Sequence, residues 1–396
     1  MFLVNISIMF FILTCYVGWR VIQYLPLRRV WRWLILALYF IFSQNFLIYI
    51  LLRNMGLAHY IPETAFFVFG VAQGACIFVA LLSIAREIAL LVWFSAGRIF
   101  FARPLRNASA SRAAWLKGMR VFSVAICILA ILLAGFAAYN AMRLPDVRKV
   151  SLAEENLPPA LEGFNIAVLS DLHIGTGFEG EWLEHVVQKT NALQADLIVI
   201  VGDMLDGDAA QMRADLAPLE GLRARYGVFV VTGNHEYYGN FENWLAHMRA
   251  SSALRLLLNN GQILDVNGAK LGLGGAGDEV AEALGLGGEP NLAAAYAPIA
   301  SADYKILLWH RPRQAARAAA EGFDLQVSGH THGGQFFPGN IFVRVANGYS
   351  SGLYQVENMQ LYVSPGSGLW GRIPLRLGTA PEITLLKLTA RKTTRN

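Results

Sequence analysis

Four stretches in the first 150 residues carry no charged side chain: Met1–Trp19, Trp33–Leu52, Ala65–Ala85 and Val121–Met142, of 19, 20, 21 and 22 residues. About 20 apolar residues in a helix cross a hydrocarbon core about 30 Å thick. The runs therefore define a transmembrane region of four helices, at about 1–19, 33–52, 65–85 and 121–142, within a first segment 1–150. A composition of 55% hydrophobic residues with mean hydropathy +0.40 agrees, being too apolar for a wholly soluble chain. The first run lacks the basic start and small-residue cleavage site of a signal peptide and is read as retained. The third is free to continue as a helix past Arg86 and Glu87 through Ile88–Gly97. Those two adjacent charges, near one end of the run, read as an interfacial extension rather than as part of a transport pathway.

The charge is unevenly divided. Residues 1–150 carry 15 Lys and Arg against 3 Asp and Glu, and residues 151–396 carry 18 against 25. The basic excess sits between apolar runs rather than on a soluble face with interleaved aromatics, so no nucleic-acid partner is expected. It reads instead as a topology signal. Arg20, Arg28, Arg29 and Arg32 follow the first run, and Arg98, Arg103, Arg106, Arg112, Lys117 and Arg120 precede the fourth, with no acid in either loop. The loop between the second and third runs has Arg53 and Glu63 alone. Basic loops stay in the cytoplasm. The expectation is a multi-pass protein of the cell inner (cytoplasmic) membrane, with everything after Met142 on the extracytoplasmic side; a cytoplasmic domain is the alternative.

From about Ser151 the pattern changes, opening a second segment, 151–396. Short apolar, β-rich runs recur at Asn165–Leu169, Leu197–Val201, Val228–Val231, Lys305–Trp309, Leu325–Val327, Met359–Val363 and Glu382–Leu388. Continuous apolar strands of this kind belong to sheets buried on both faces, an α/β arrangement. The three cysteines, Cys15, Cys76 and Cys127, all lie in the first segment, so the second holds neither a disulfide nor a thiolate metal site.

The residues just past these runs carry the chemistry. "SDLHIG" supplies Asp171 and His173, "GDMLDGD" Asp203 and Asp206, "TGNHEYY" Asn234 and His235, "WHRP" His310, and "SGHTHGG" His330 and His332. Open α/β sheets bind ligands at the carboxyl ends of their strands. Here five strand ends deliver Asp, Asn or His to one edge, using five of the eight histidines. Each motif alone has a bland reading as a polar turn; together they do not. Carboxylate, imidazole and amide donors without thiolate suit Mn, Fe or Zn and disfavour a dedicated calcium cage. Seven donors are too many for one ion, whereas two ions about 3.5–4 Å apart that share a carboxylate would use them all. A decoy is "GLGGAG", Gly272–Gly277, which fits a dinucleotide fingerprint literally. It lacks the full crossover helix and the acid about 20 residues on, and reads as a strand-to-loop turn.

With D-x-H, G-D, G-N-H-E, H and G-H-x-H in order, residues 160–390 resemble the calcineurin-like metallophosphoesterases. "GHTHGGQ" and the tail "YVSPGSGLWGRIPLRLGTAPEITLL" resemble the bacterial membrane-associated branch. The resemblance implies an α/β metallophosphoesterase fold, two packed mixed sheets flanked by helices, preceded here by the four-helix transmembrane region. It implies two divalent metal ions (Mn, Fe or Zn), one held by Asp171, His173 and His332, the other by Asn234, His310 and His330, with Asp203 bridging them. A hydroxide between the ions would attack phosphorus in line. His235 would be the general acid and Asp206 its orienting partner, although Asp206 also reads as a turn residue. Glu236 reads as structural. Arg311 is a candidate substrate-binding residue, or else a solvated strand-end arginine.

The anchor makes membrane lipids the expected partners and a phospholipid or lipid-linked phosphate the expected substrate, with soluble phosphodiesters as the alternative. Phe336, Phe337, Leu369 and Trp370 would lie near the metal edge, either dipping into lipid or buried in the core. A non-catalytic membrane receptor keeping the same fold is the rival from another class; the intact donor set and His235 stand against it.

Overall fold

The computed structural model describes residues 2–55, 57, 63–100, 108–175, 178–370 and 373–391. His59, Arg103 and Arg106 lie outside the described residues. The chain divides into two compact units, residues 1–139 with 372–375, and residues 140–371 with 376–396.

The first unit is helical: α1 (Phe2–Arg20), α2 (Arg29–Ser43), α3 (Asn45–Asn54), α4 (Glu63–Phe100) and α5 (Ala108–Met142). Among the described residues, three helices are long and apolar enough to cross a membrane, with spans Ser7–Tyr24, Thr64–Trp93 and Arg112–Met142. The second uncharged run is the exception. It does not form one straight span but breaks at Gln44 into helices of 15 and 10 residues. The break falls in "SQN", whose side chains and freed carbonyls find partners on neighbouring helices. Gln44 Nε2 donates to the Ser7 carbonyl at 3.4 Å, Asn45 Nδ2 to Gln73 Oε1 at 3.3 Å, and Gln73 Nε2 to the Ser43 carbonyl at 3.3 Å. In an apolar setting such pairing is what allows a helix to break. Helix α4 runs through Arg86 and Glu87 without interruption for 38 residues. Arg86 Nη2 bonds Glu87 Oε1 at 2.6 Å and the Arg20 carbonyl at 2.9 Å, and Arg20 pairs with Glu87, so these charges close on one another at the end of α1.

The second unit holds two six-stranded sheets. The first comprises β1 (Asp146–Glu154), β2 (Asn165–Leu169), β3 (Leu197–Val201), β4 (Val228–Val231), β5 (Leu254–Leu256) and β12 (Glu382–Ala390), in the order β1-β12-β2-β3-β4-β5. The second comprises β6 (Asn260–Val266), β7 (Ala269–Gly275), β8 (Tyr304–Leu308), β9 (Leu325–Ser328), β10 (Gly352–Val356) and β11 (Met359–Val363), in the order β10-β11-β9-β8-β7-β6. Strands β2 to β5 are mutually parallel, as are β7, β8, β9 and β11, while β12, β10 and β6 pair antiparallel to β2, β11 and β7.

Alternation along the strands explains the uninterrupted apolar runs. Leu197, Val199 and Val201 face the second sheet and meet Leu273, Ile306, Leu308 and Val327, whereas Ile198 and Ile200 face the opposite way, onto Leu183, Val187 and Trp244 of the covering helices. The outer face of the second sheet is covered in turn by Ala295, Ile299, Ala315 and Phe323. The result is a helix–sheet–sheet–helix sandwich whose parallel strands point their carboxyl ends the same way. Gly272–Gly275, read from sequence as a turn, lies inside β7. A Cβ on Gly272 would come within 2.8 Å of Ala302 and 2.9 Å of Ile299, so the glycine lets a covering helix approach the strand.

Candidate metal centre

Every candidate donor, with Asp206, His235 and Arg311, lies just past the carboxyl end of a parallel strand. Asp171 and His173 follow β2, Asp203 and Asp206 follow β3, Asn234 and His235 follow β4, His310 and Arg311 follow β8, and His330 and His332 follow β9. The donors fall into overlapping groups whose ligand atoms all lie within 4.8 Å of one another: Asp171, His173 and His332; His173, Asp203 and His235; and Asp203, His310 and His330. Asp203 belongs to two of them. Its Oδ2 lies 3.1 Å from His310 Nε2, 3.7 Å from His173 Nε2 and 4.0 Å from His235 Nε2. His332 Nε2 lies 3.3 Å from Asp171 Oδ1 and 3.0 Å from His173 Nε2.

The backbone is bent to bring these atoms together. Asp171, His173, Asp203, His330 and His332 all have φ between 47° and 68°, the left-handed region that non-glycine residues avoid. Each such residue costs about 1–3 kcal/mol and persists only where its surroundings over-determine it. The glycine at 329 is one determinant. A Cβ there would sit 1.9 Å from Ser170 Oγ and 2.3 Å from Asp171 Oδ2, closing the space through which the His330 amide donates to Asp171 Oδ1 at 3.0 Å.

Glu236 ties the loops from below. Its carboxylate accepts the backbone N–H groups of Gly233 at 2.6 Å, Met204 at 2.7 Å and Asp203 at 3.0 Å, so its place is among the loop amides rather than among the donors. Burial, then the Asp203 charge, push its pKa up to about 7.

Asp206 does more than partner one histidine. Its Oδ1 is 2.5 Å from His235 Nδ1 and 2.7 Å from His173 Nδ1, so one carboxylate fixes both rings and leaves both Nε2 atoms facing the site. Burial would raise the Asp206 pKa, but the two histidines outweigh it and hold it low. For His235, burial is likewise outweighed by Asp203 and Asp206, which lift it to about 9. His310 rises to about 10 because Asp203 overcomes its burial. His330 and His332 move the other way. Burial, reinforced by His310 and Arg311 in one case and by His173 and Arg376 in the other, holds both neutral, with ring lone pairs available to a cation.

A metal fits this donor set on two observations. Asn234 Oδ1 is buried without a hydrogen-bond partner, a cost that buried polar atoms avoid unless something else completes them. His310 Nδ1 lies 2.8 Å from the Val201 carbonyl, which keeps a proton on Nδ1 and turns Nε2 toward Asp203, where a cation in place of the second proton would find its ligand atom.

Sequence reasoning missed two residues. Arg376 is buried and donates to the carbonyls of His332, Pro365 and Gly368, with Nη2 3.3 Å from His332 Nδ1. Asp278 is fully buried and anchors Arg311, whose Nε donates to its Oδ2 at 2.8 Å while Nη1 sits 3.3 Å from His330 Nε2. Arg311 is therefore held at the site rather than solvated. Arg376 lies in the tail "YVSPGSGLWGRIPLRLGTAPEITLL" and Asp278 directly follows "GLGGAG", but neither stands at a donor-bearing strand end, so the sequence carried no signal of what they hold. Of the aromatic and apolar residues expected near the metal edge, Leu369 is buried beside Phe178, while Phe337 and Trp370 are 67% and 54% exposed. Phe336 is half-buried.

The fold and this centre define a metal-dependent phosphoesterase, and the comparisons agree. The model of the calcineurin-like phosphoesterase domain matches residues 164–334. An uncharacterized metallophosphoesterase of Campylobacter jejuni is 33% identical over 273 residues, covering 69% of this chain and 71% of that one. A Helicobacter pylori metallophosphoesterase is 28% identical over 390 residues, covering 97% and 98%. A bovine transmembrane protein with a metallophosphoesterase domain is 38% identical over 262 residues, covering 63% of this chain and 59% of that protein. The chain belongs to the calcineurin-like phosphoesterase family, and it is a metal-dependent hydrolase of phosphoesters.

Proposed function

We propose that the protein is a membrane-anchored phosphohydrolase that uses two divalent ions (Mn, Fe or Zn) to cleave a phosphoester of a phospholipid or lipid-linked phosphate. The observation that carries the two-ion reading is the place of Asp203 between two donor groups: its Oδ2 is 3.1 Å from His310 Nε2, which groups with Asp203 and His330, and 3.7 Å from His173 Nε2, which groups with Asp171 and His332. Asn234, whose Oδ1 is buried without a hydrogen-bond partner, would complete the second group. Ions held there would draw charge from phosphoryl oxygens and lower the pKa of water.

The remaining steps fall to the chain's own residues. Arg311, positioned by Asp278, binds a phosphoryl oxygen. His235, oriented through Nδ1 by Asp206, carries a proton on Nε2 and gives it to the departing ester oxygen. Asp206 stabilises the charged imidazole before that transfer. The apolar helices of the first unit and the relative described as a transmembrane protein support a bilayer-borne substrate. The reading extends to a multi-pass inner-membrane protein with the domain outside the cytoplasm. With the basic loops after α1 and before α5 both cytoplasmic, that orientation needs two crossings between them, one by α4 and one by α2 and α3 together.

Full-length protein supplied with Mn²⁺ tests the chemistry on an alkyl phosphodiester, whose departing oxygen needs a proton. Turnover lost in His235→Ala and Asp203→Ala supports it. Equal background rates in wild type and both variants would leave a binding protein instead. A C-terminal phosphatase reporter active only outside the inner membrane supports the orientation, and a reporter silent there reverses it.

A further inference from the structure

A surface helix normally turns its apolar stripe toward the core. The helix Gly339–Asn347, which starts seven residues after His332, does the reverse. None of its nine residues is buried. Ile341, Phe342 and Val345 are 51%, 71% and 83% exposed, and Phe337, just before it, is 67% exposed. At 100° per residue these positions form one stripe, while the half-buried Val343 and Asn347 lie on the other side, against the domain. The stripe is flanked by Arg344, and no Asp or Glu occurs from Leu325 to Val356.

We propose that this helix docks in the interfacial layer of the bilayer that holds the chain's own apolar helices, which sets the metal edge at the level of phosphoester headgroups. Three observations favour a bilayer over another protein. Apolar side chains with a single cation and no acid match an anionic lipid surface, where a basic side chain reaches headgroups while its neighbours enter the acyl boundary. Three residues separate α5, ending at Met142, from β1, starting at Asp146, so β1 begins within about 14 Å of that helix end. Trp370, 54% exposed, is brought to the same edge by reciprocal hydrogen bonds of 3.0 and 3.2 Å between its backbone and the Gln335 amide, and indole is the side chain that interfaces favour.

The inference rests on the membrane-anchored reading but not on turnover, and its test is independent of activity. Cys15, Cys76 and Cys127 are replaced by Ala in the full-length chain, and Phe342→Cys and Val345→Cys are separately labelled with an environment-sensitive fluorophore. Each protein is placed in nanodiscs of phosphatidylcholine and phosphatidylglycerol, with or without lipid carrying a shallow nitroxide. Insertion into the acyl boundary predicts a blue-shifted label and emission reduced about twofold or more by the nitroxide at both positions. An aqueous, unquenched label at either position overturns the proposal. So does a blue-shifted label that the nitroxide does not quench, which would mean that protein, a second copy of the chain included, covers the helix. An inactive protein with quenched labels would keep this inference and sink the phosphohydrolase reading; an active protein with unquenched labels would do the opposite.

Discussion

Replacing Asp206 with Asn separates two roles that one carboxylate performs. Its Oδ1 contacts both His173 Nδ1 and His235 Nδ1, at 2.7 and 2.5 Å, and its side chain is only 19% exposed. The amide keeps the shape but loses the charge that polarises both rings. In the proposed centre His173 is a ligand, and removing the partner of a metal-ligating histidine costs about 10–100-fold in metal affinity. In the proposed mechanism His235 is the proton donor, and removing general acid catalysis costs about 10²–10⁴ in rate. Asp206→Asn should therefore show both losses and His235→Ala the second alone. Two assays resolve them: a Mn²⁺ titration of activity, and a leaving-group series from aryl to alkyl phosphodiesters. A nitrophenolate departs without a proton, so His235→Ala should be mild on the aryl ester and severe on the alkyl ester. Asp206→Asn should share that pattern and shift the Mn²⁺ midpoint on both substrates. An unchanged midpoint would refute the hold of Asp206 on His173. Wild-type behaviour in both assays would return Asp206 to the status of a turn residue.

Two further substitutions probe the support. Glu236→Gln removes the charge that holds the Asp203, Met204 and Gly233 amides together and turns N–H donors against one another; a loss of about 2–4 kcal/mol is expected in denaturant unfolding, and a change within error would contradict the bracing role. Gly329→Ala should leave the sheets folded by circular dichroism but empty the centre by elemental analysis, because the added carbon displaces Asp171; full metal content would show that the loop relaxes around it.

The strands that place the site were legible because burial on both faces leaves an unbroken apolar run, as in Leu197–Val201. Those that escaped have other physics. β1 is an edge strand reading "DVRKVSLAE", with one buried residue, Leu152, paired on one side with β12. β7 carries glycines because helices press against it, which reads as a loop until the packing is seen. The donors themselves stood out because strand ends repeated ligand-type residues. Arg376 and Asp278 did not, since their roles arise from positions far apart in sequence from the side chains they hold. The uncharged run Trp33–Leu52 looked like one span because composition is blind to the hydrogen bonds by which Gln44, Asn45 and Gln73 stabilise a break.

Whether Asp203 joins two ion sites is decided by counting metal per chain in purified full-length protein and in three variants. A shared carboxylate predicts about two ions in the wild type and about one each in His332→Ala and His310→Ala, which strip different groups, with Asp203→Ala weakening both. One ion in the wild type, or a His310→Ala protein that still holds two, would contradict it.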